Sequence, residues 1–199
     1  MKSVLISIQP KWCELIASRK KTIEVRKTKP KLETPFKCYI YCTKERKKTD
    51  FITKSEVFGY INAPEHTICN RASEYDANGK VIGEFVCDKI YDITPHFDTP
   101  TFPNQYICGW DYGKEFDCLS FEELTSYLNG KNGYGWHISD LVIYDKPREL
   151  SEFHKPCEDV QNCLNKAFRD SGHSLNKCFD CGCRIARPPQ SWCYVESED

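Results

Sequence analysis

The amino-acid sequence predicts an α+β fold that is mostly β, a small barrel with one or two flanking helices. Several short segments alternate apolar and polar residues as strands do, whereas only two segments show helical spacing. Many short strands with few helices are typical of a small β-barrel rather than a doubly wound α/β sheet. The sequence has no glycine-rich phosphate loop and no dinucleotide-binding motif, so ATP and dinucleotide chemistry are not expected.

The N-terminal residues predict a strand followed by a helix. Residues 4–8 (VLISI) read as the first strand, because apolar side chains alternate along them. Pro10 suits the first turn of a helix over residues 10–20. Within that segment Trp12, Leu15 and Ile16 fall on one apolar stripe.

A second strand is predicted over residues 21–27, inside the most basic part of the chain. Ile23 and Val25 alternate along it and are expected to face inward. The opposite face then carries three polar side chains, those of Thr22, Glu24 and Arg26.

The remaining elements follow in order and end before Pro147. A capping-box pattern, Ser120 with Glu123, opens the second predicted helix, over residues 120–130. The other segments read as strands: residues 36–43, 56–68, 83–94 and a long final strand over 134–145. An Asn-Gly pair at residues 78–79 marks a hairpin before residues 83–94.

Charge is distributed unevenly along this nearly neutral chain. Residues 1–48 hold 14 Lys and Arg against 4 Asp and Glu, a net charge of +10, whereas residues 49–199 have a net charge of −11. A basic patch suits an RNA or nucleotide partner, although a lysine-rich edge that blocks strand pairing is an alternative. No apolar run has the roughly 18 residues of a membrane span, and the N-terminus does not resemble a signal peptide. We therefore expect a cytoplasmic protein without a membrane partner.

The basic helix-to-strand segment supplies the candidate catalytic residues Lys21 and Glu24. A lysine acts as a general base only when burial or neighbouring cations favour its neutral form, and a nearby glutamate opposes that effect. The alternative is an ordinary exposed ion pair. Residues expected to bind a nucleic acid or nucleotide on the same surface are Ser7, Lys11, Lys20, Thr22 and Arg26.

A second candidate constellation is the segment GYGWHISD, residues 133–140. Trp136 is a potential stacking platform for a base, and His137 is a potential proton carrier. The two side chains lie on opposite faces of a strand, so at most one can face a given cleft. A core tryptophan and a hydrogen-bonded histidine are the alternatives.

The C-terminal segment predicts a structural zinc site. Thirteen cysteines are many for a cytoplasmic chain, and six of them lie within the last 43 residues. The Cys-x-x-Cys pair is typical of a zinc knuckle, and four thiolates would close a tetrahedral site without an open position. Four ligands are expected from Cys157, Cys163, Cys178, Cys181, Cys183 and Cys193, with His173 as a weaker candidate. Free thiols are the alternative.

Two regions follow from these observations: a barrel over residues 1–150 and a cysteine-rich tail over residues 151–199. The tail has few aliphatic residues, so a metal would have to stabilise it. Its last segment, RPPQSWCYVE, predicts a strand that returns to the barrel with Trp192 and Tyr194 as anchors. Alternatively, these aromatic residues line a ligand cleft.

Residues 3–150 resemble the ASCH domain family in three features. These are the segment SIQPKWCELIASRKKTIEVRK, a middle part of short strands, and the closing GYGWHISDLVIYDKP. The resemblance implies a PUA-like β-barrel, a fold associated with RNA and modified-base recognition, with a cleft between the first helix and the barrel strands.

Some small ASCH proteins are amidohydrolases that deacetylate N4-acetylcytidine with a lysine, a threonine three residues later and a distant glutamate. The resemblance places Lys21 at the lysine position. Glu24 occupies the threonine position, and Glu84 is a candidate for the distant acid. Because a carboxylate cannot replace a hydroxyl as nucleophile or donor, this departure favours binding over that reaction.

Three functions therefore remain open. The first is a binding or regulatory module that holds RNA or a nucleotide. The second is a hydrolase, either of a modified nucleoside or of RNA, that uses Lys21 and Glu24. The third is an adaptor whose zinc tail binds a protein partner.

Overall fold

The computed structural model describes residues 2–44, 77–96, 105–111, 114–156 and 183–196. Nine strands and two α-helices lie within these ranges, and they are numbered here in chain order. The elements are β1 (Lys2–Ile8), α1 (Pro10–Ala17), β2 (Ile23–Arg26), β3 (Phe36–Cys42), β4 (Val81–Cys87), β5 (Ile90–His96), β6 (Gln105–Cys108), α2 (Phe121–Leu128), β7 (Gly133–His137), β8 (Ser139–Arg148) and β9 (Trp192–Glu196). The predicted strand over residues 56–68 lies outside the described residues.

The strands form two sheets, and the mostly β prediction is confirmed. The order is β8-β4-β3-β1-β9 in the five-stranded sheet and β2-β7-β5-β6 in the four-stranded sheet. The β1–β3 pair is parallel and the other strand pairs are antiparallel. None of the helices in the described ranges is long and apolar enough to cross a membrane.

The main core lies on one face of β1 and β3 and extends to α1 and β7. Val4, Ile6 and Ile8 point into it, as their alternation predicts, and Trp136 lies at its centre. The ring of Trp136 packs edge-on against that of Phe36, with centroids 5.8 Å apart. Burial of this apolar surface is the main source of the fold's stability.

Both sheets also pack against other parts of the chain on the face that points away from the main core. For this reason several strands have buried residues on both of their faces. The far side of β1 and β3 packs against residues 150–153 and 185 and against β9 in a second cluster that includes Leu5, Tyr39 and Phe153. The outer face of the four-stranded sheet packs against α2 through Ile23 and Val25. Strand β2 is therefore buried on both faces, whereas its sequence predicts a half-buried strand.

The single long strand predicted over residues 134–145 is wrong, because two strands of different sheets occupy this segment. Strand β7 ends at His137 and β8 begins at Ser139. Between them, Ile138 leaves the ladder, and its N–H donates to the Thr22 carbonyl at 2.9 Å. Similarly, residues 83–94 form parts of two strands, β4 and β5. Alternating apolar residues cannot show where a chain changes sheets.

The capping box that the sequence predicts for α2 is confirmed. The Glu123 N–H donates to Ser120 Oγ at 3.1 Å, and the Ser120 N–H donates to Glu123 Oε2 at 2.9 Å. The predicted returning strand is also confirmed as β9, which pairs antiparallel with β1. Trp192 packs against Trp136 at a centroid distance of 6.0 Å, and the Tyr194 hydroxyl accepts from the Lys31 N–H at 2.7 Å. These contacts hold the C-terminal strand on the barrel.

Candidate functional site

A cavity of about 940 Å³ opens where the end of β1, helix α1, strand β2, helix α2 and the residues before β9 meet. Its lining combines apolar, aromatic and charged side chains. The lining residues are Ser7, Ile8, Gln9, Trp12, Lys21, Glu24, Val25, Arg26, Thr43, Leu119, Glu122, Glu123, Ser126, Tyr127, Pro188, Pro189, Gln190 and Ser191.

The turn between α1 and β2 directs Lys21 toward this cavity. Helix α1 ends at Ala17, and Arg19 adopts a left-handed φ of 58° that reverses the chain. The Lys20 and Lys21 N–H groups both donate to the Leu15 carbonyl, which fixes the turn on the helix end. Lys21 Nζ donates to the Asp117 carbonyl. The short basic turn thus places an ammonium group on the cavity wall.

Strand β2 adds a carboxylate and a guanidinium to the same wall. Lys21, Glu24 and Arg26 are only 2%, 5% and 7% exposed. Arg26 Nη2 lies 2.9 Å from Glu24 Oε1, and Lys21 Nζ lies 3.6 Å from Glu24 Oε2. Each buried charge has an opposite partner, which is the condition under which buried charges are tolerated. We call these three residues the charged cluster.

The charged cluster retains unused hydrogen-bonding capacity. Glu24 Oε2 and Arg26 Nε are buried and have no hydrogen-bond partner among the described residues. An unsatisfied buried acceptor or donor costs roughly 1–3 kcal/mol. A small rearrangement or a ligand that supplied the missing donor and acceptor would recover that energy.

Ser7, at the end of β1, joins the charged cluster to the C-terminal segment. Its carbonyl accepts from Arg26 Nη2 at 2.6 Å. Its N–H donates to the Ser191 carbonyl at 2.8 Å, and its Oγ donates to the Pro189 carbonyl at 2.7 Å. All three polar groups of Ser7 are used, so this residue positions both walls.

Helix α2 contributes residues that the sequence analysis did not select, namely Glu122, Glu123, Ser126 and Tyr127. Its capping box predicts the helix, but no local pattern predicts which element the helix faces. The Ser120 N–H, followed by the Lys11 ammonium, lowers the pKa of Glu123. Burial raises the pKa of Tyr127, while Arg26 acts in the opposite direction.

Trp12 supplies the largest aromatic surface of the lining. Lys11 Nζ lies 4.2 Å and Lys21 Nζ 5.2 Å from the centroid of its ring system. Lys11 also forms an ion pair with Glu123 at 2.9 Å, and its side chain is 61% exposed. Because an exposed lysine moves at little cost, this contact leaves the indole available to a ligand.

Five other residues selected from the sequence lie outside the lining. Lys11 is exposed and pairs with the lining residue Glu123, and Lys20 is exposed. Thr22 Oγ1 accepts from the Phe116 N–H at 2.8 Å. Trp136 is completely buried in the main core, which leaves no face for a base. The Nδ1 atom of His137 lies 2.6 Å from Asp88 Oδ1, and its Nε2 lies 3.7 Å from Glu115 Oε1.

No protein-family model and no curated protein matches the chain. Solved structures do match it. The crystal structure of ASCH from Zymomonas mobilis aligns with 98% of this chain and 87% of its own chain, at 18% identity and a TM-score of 0.50. The chain has the ASCH fold. Structures of a Tyr-to-Phe and a Ser-to-Ala variant of the same Zymomonas mobilis protein also match. They show 17% and 16% identity, TM-scores of 0.49 and 0.48, and coverage of 98% of this chain and 91% and 88% of their own.

The structure places Lys21 and Glu24 in one cavity, but Glu84 lies elsewhere. The Oε1 atom of Glu84 is 3.1 Å from Lys37 Nζ, and its Oε2 accepts from the Tyr144 hydroxyl at 2.6 Å. Both contacts pair it with strands of the five-stranded sheet. Among described residues, the cavity carboxylates other than Glu24 are those of Glu122 and Glu123.

The predicted zinc ligands lie largely beyond the described part of this ASCH-fold chain. Cys157, Cys163, Cys178 and Cys181 are outside the described residues. Cys183 is partly exposed beside the bridge that His154 forms with Arg184. Cys193 lies in β9 against the second cluster, and burial raises the pKa of its thiol. Zinc ligation remains a prediction.

Asp117, whose carbonyl accepts from Lys21 Nζ, makes the free energy of unfolding depend on pH. Burial raises the pKa of this carboxyl above its usual value of 3.8, while the Leu119 N–H and the Lys21 ammonium act in the opposite direction. The folded state therefore binds more protons than the unfolded state between the two pKa values, and stability falls as the pH rises through that window. We expect Asp117→Asn to raise the urea midpoint at about pH 7 and to leave it unchanged below the unfolded-state pKa.

Asp140→Asn is the control for this prediction, because it removes one negative charge from an exposed residue, whereas Asp117 is half-buried. A gain for Asp117→Asn that is the same at both pH values would show that the buried charge is not its cause.

Proposed function

We propose that this protein binds the nucleoside part of RNA or of a free nucleotide, modified or unmodified, in the cavity. The observation that carries the proposal is the charged cluster on the cavity wall. Lys21 and Arg26 offer hydrogen-bond donors, and Glu24 offers an acceptor, as the edge of a base requires. The association of PUA-like barrels with modified-base recognition, implied by the sequence resemblance, points in the same direction.

The size and aromatic content of the cavity support a single nucleoside. Its volume of about 940 Å³ is within the range of ligand pockets and too small for a duplex. Trp12 and Tyr127 line it, and a base stacked on an aromatic ring gains roughly 1–3 kcal/mol. Single-stranded or free nucleosides present the base faces that such stacking needs.

The charge balance of the lining supports recognition of the base rather than the phosphates. Two cations, Lys21 and Arg26, are opposed by three carboxylates, those of Glu24, Glu122 and Glu123. A phosphate gains little from cations that are already paired, and its transfer from water is costly. Phosphates of a bound RNA would instead lie outside the cavity, near exposed lysines such as Lys20.

Calorimetric titration with the four common ribonucleosides, N4-acetylcytidine and a short single-stranded RNA tests the proposal. We expect at least one nucleoside to bind, and we expect Lys21→Met to weaken that binding about tenfold or more. Lys20→Met is the matched control for the nucleosides, which carry no phosphate, because this neighbouring lysine is exposed and lies outside the lining. Equal losses for both variants, or no binding by the wild-type protein, would overturn the proposal.

A hydrolase is the second candidate, because Lys21 and Glu24 lie side by side on the wall of one cavity. In hydrolysis of N4-acetylcytidine, water would add to the acetyl carbonyl carbon. The bond between that carbon and N4 would then break, giving acetate and cytidine. Lys21 would accept a proton from water, and N4 would receive one as it leaves. Acetate release by the wild-type protein, and its loss in Lys21→Ala and Glu24→Ala under conditions in which circular dichroism shows both variants folded, would support catalysis. Activity that persists in both variants would exclude these residues.

We also propose a structural zinc ion in the cysteine-rich tail. Six cysteines between residues 157 and 193, including Cys178-x-x-Cys181, support it. Elemental analysis of the purified protein is expected to find about one zinc per chain, and Cys178→Ser with Cys181→Ser is expected to lose it. Cys118→Ser is the control, because this cysteine lies in the barrel. Full zinc content in the double variant would contradict the assignment.

A further inference from the structure

Residues 188–191 (PPQS), here called the C-terminal rim, form one side of the cavity although they follow the end of β8 by 40 residues. They lead directly into β9, whose pairing with β1 fixes their far end. Pro188 and Pro189 restrict the backbone further, because the proline ring fixes φ. The rim is therefore a fixed wall of the cavity.

The rim is coupled to the charged cluster through one residue. Ser7 donates to the carbonyls of Ser191 and Pro189, and its own carbonyl accepts from Arg26 Nη2. These bonds are 2.6–2.8 Å long. Because Arg26 in turn pairs with Glu24, the distance between the rim and the charged cluster is set by a continuous set of hydrogen bonds.

The chemistry of the rim differs from that of the other walls. Its four residues carry no charge, and Gln190 is exposed while lining the cavity. The Gln190 amide has both donors and an acceptor, so it can pair with a neutral polar group such as a ribose hydroxyl or a base edge. It cannot provide the positive charge that a phosphate requires.

We infer that the C-terminal rim is a specificity element of the cavity, in which Gln190 contacts a neutral polar ligand and limits its size. The inference rests on the proposed nucleoside binding and goes beyond it, because it assigns ligand selection to residues of the cysteine-rich tail. Ser7 is the positioning residue that holds the rim at its distance from the charged cluster.

Titration of the full-length protein with the four common ribonucleosides and their 5′-monophosphates tests the inference in three variants. Gln190→Trp adds volume at the rim and is expected to weaken nucleoside binding about tenfold or more. Gln190→Leu keeps the size but removes the amide, and a loss of about three- to tenfold is expected. Arg187→Trp is the matched control, because it places the same indole in the same segment outside the lining.

Hydrogen exchange of the Ser7 amide separates ligand contact from undocking of the rim, because that N–H is bonded to Ser191. Protection of this amide is expected to be unchanged in all three variants. Nucleoside binding that is equal in wild type, Gln190→Trp and Gln190→Leu would overturn the inference and leave the proposed function standing. Absence of binding by the wild-type protein would overturn both, and losses as large in Arg187→Trp would overturn the role of Gln190 alone.

Discussion

Glu24→Ala is expected to lower the free energy of unfolding by about 3–5 kcal/mol, because it leaves two buried cations without a counter-charge. Glu24 lies 2.9 Å from Arg26 Nη2 and 3.6 Å from Lys21 Nζ, and all three side chains are at least nine-tenths buried. Removing one member of such a cluster costs more than the cluster contributes, since the remaining charges stay out of water. Urea unfolding followed by circular dichroism measures the change.

Two further variants distinguish this explanation from a simple loss of packing. Glu122→Ala removes a glutamate from the same cavity, but that residue is exposed, so a change within about 0.5 kcal/mol is expected. Arg26→Met in the Glu24→Ala background removes one of the two buried cations that would otherwise have no counter-charge. The double variant is expected to be more stable than the sum of the single changes predicts. Additive losses would show that Glu24 and Arg26 do not act together.

The same charge pairing explains why a single glutamate, Glu24, lies within the basic residues 18–31. Glu24 neutralises Lys21 and Arg26 and allows β2 to be buried on both faces. A lysine or arginine segment without it would have to remain at the surface, because unpaired buried charge is too costly. The carboxylate thus converts a solvent-exposed basic strand into part of a cavity wall.

Local patterns in the sequence predict the elements that build the cavity. Alternation gives β1 and β2, Pro10 gives the start of α1, and Ser120 with Glu123 gives α2. They also place Glu24 and Arg26 on one face of their strand. These signals are local because hydrogen bonding and side-chain direction within one element repeat at a fixed period.

Long-range packing decides the parts of the site that the sequence does not reveal. Trp136 and Trp12 both occur beside polar residues, but β7 turns Trp136 into the core, whereas α1 leaves Trp12 on the cavity. The C-terminal rim reaches the cavity because β9, near the end of the sequence, pairs with β1, near its beginning. Such pairings depend on contacts between residues far apart in sequence, which a single sequence does not specify.

Trp12→Leu is expected to weaken nucleoside binding by about 5- to 150-fold, because a stacked base gains roughly 1–3 kcal/mol from an aromatic face. Leucine keeps apolar packing against the main core, where Trp12 is partly buried, so the fold is expected to persist. Trp12→Tyr keeps an aromatic face and is expected to lose less affinity than Trp12→Leu. Isothermal calorimetry with the nucleoside that binds best provides the comparison.

A variant of Lys11 distinguishes stacking on Trp12 from attraction by the neighbouring positive charge. Its ammonium lies over the Trp12 ring and pairs with Glu123, so a stacking base competes with it for the indole. Lys11→Ala is therefore expected to preserve or raise affinity, in contrast to Trp12→Leu. Phe121→Ala, at an exposed aromatic residue of α2 outside the lining, is expected to have no effect. If Lys11→Ala weakened binding as much as Trp12→Leu, the ligand would be held by the lysine's charge, and the indole would be its support rather than the stacking surface.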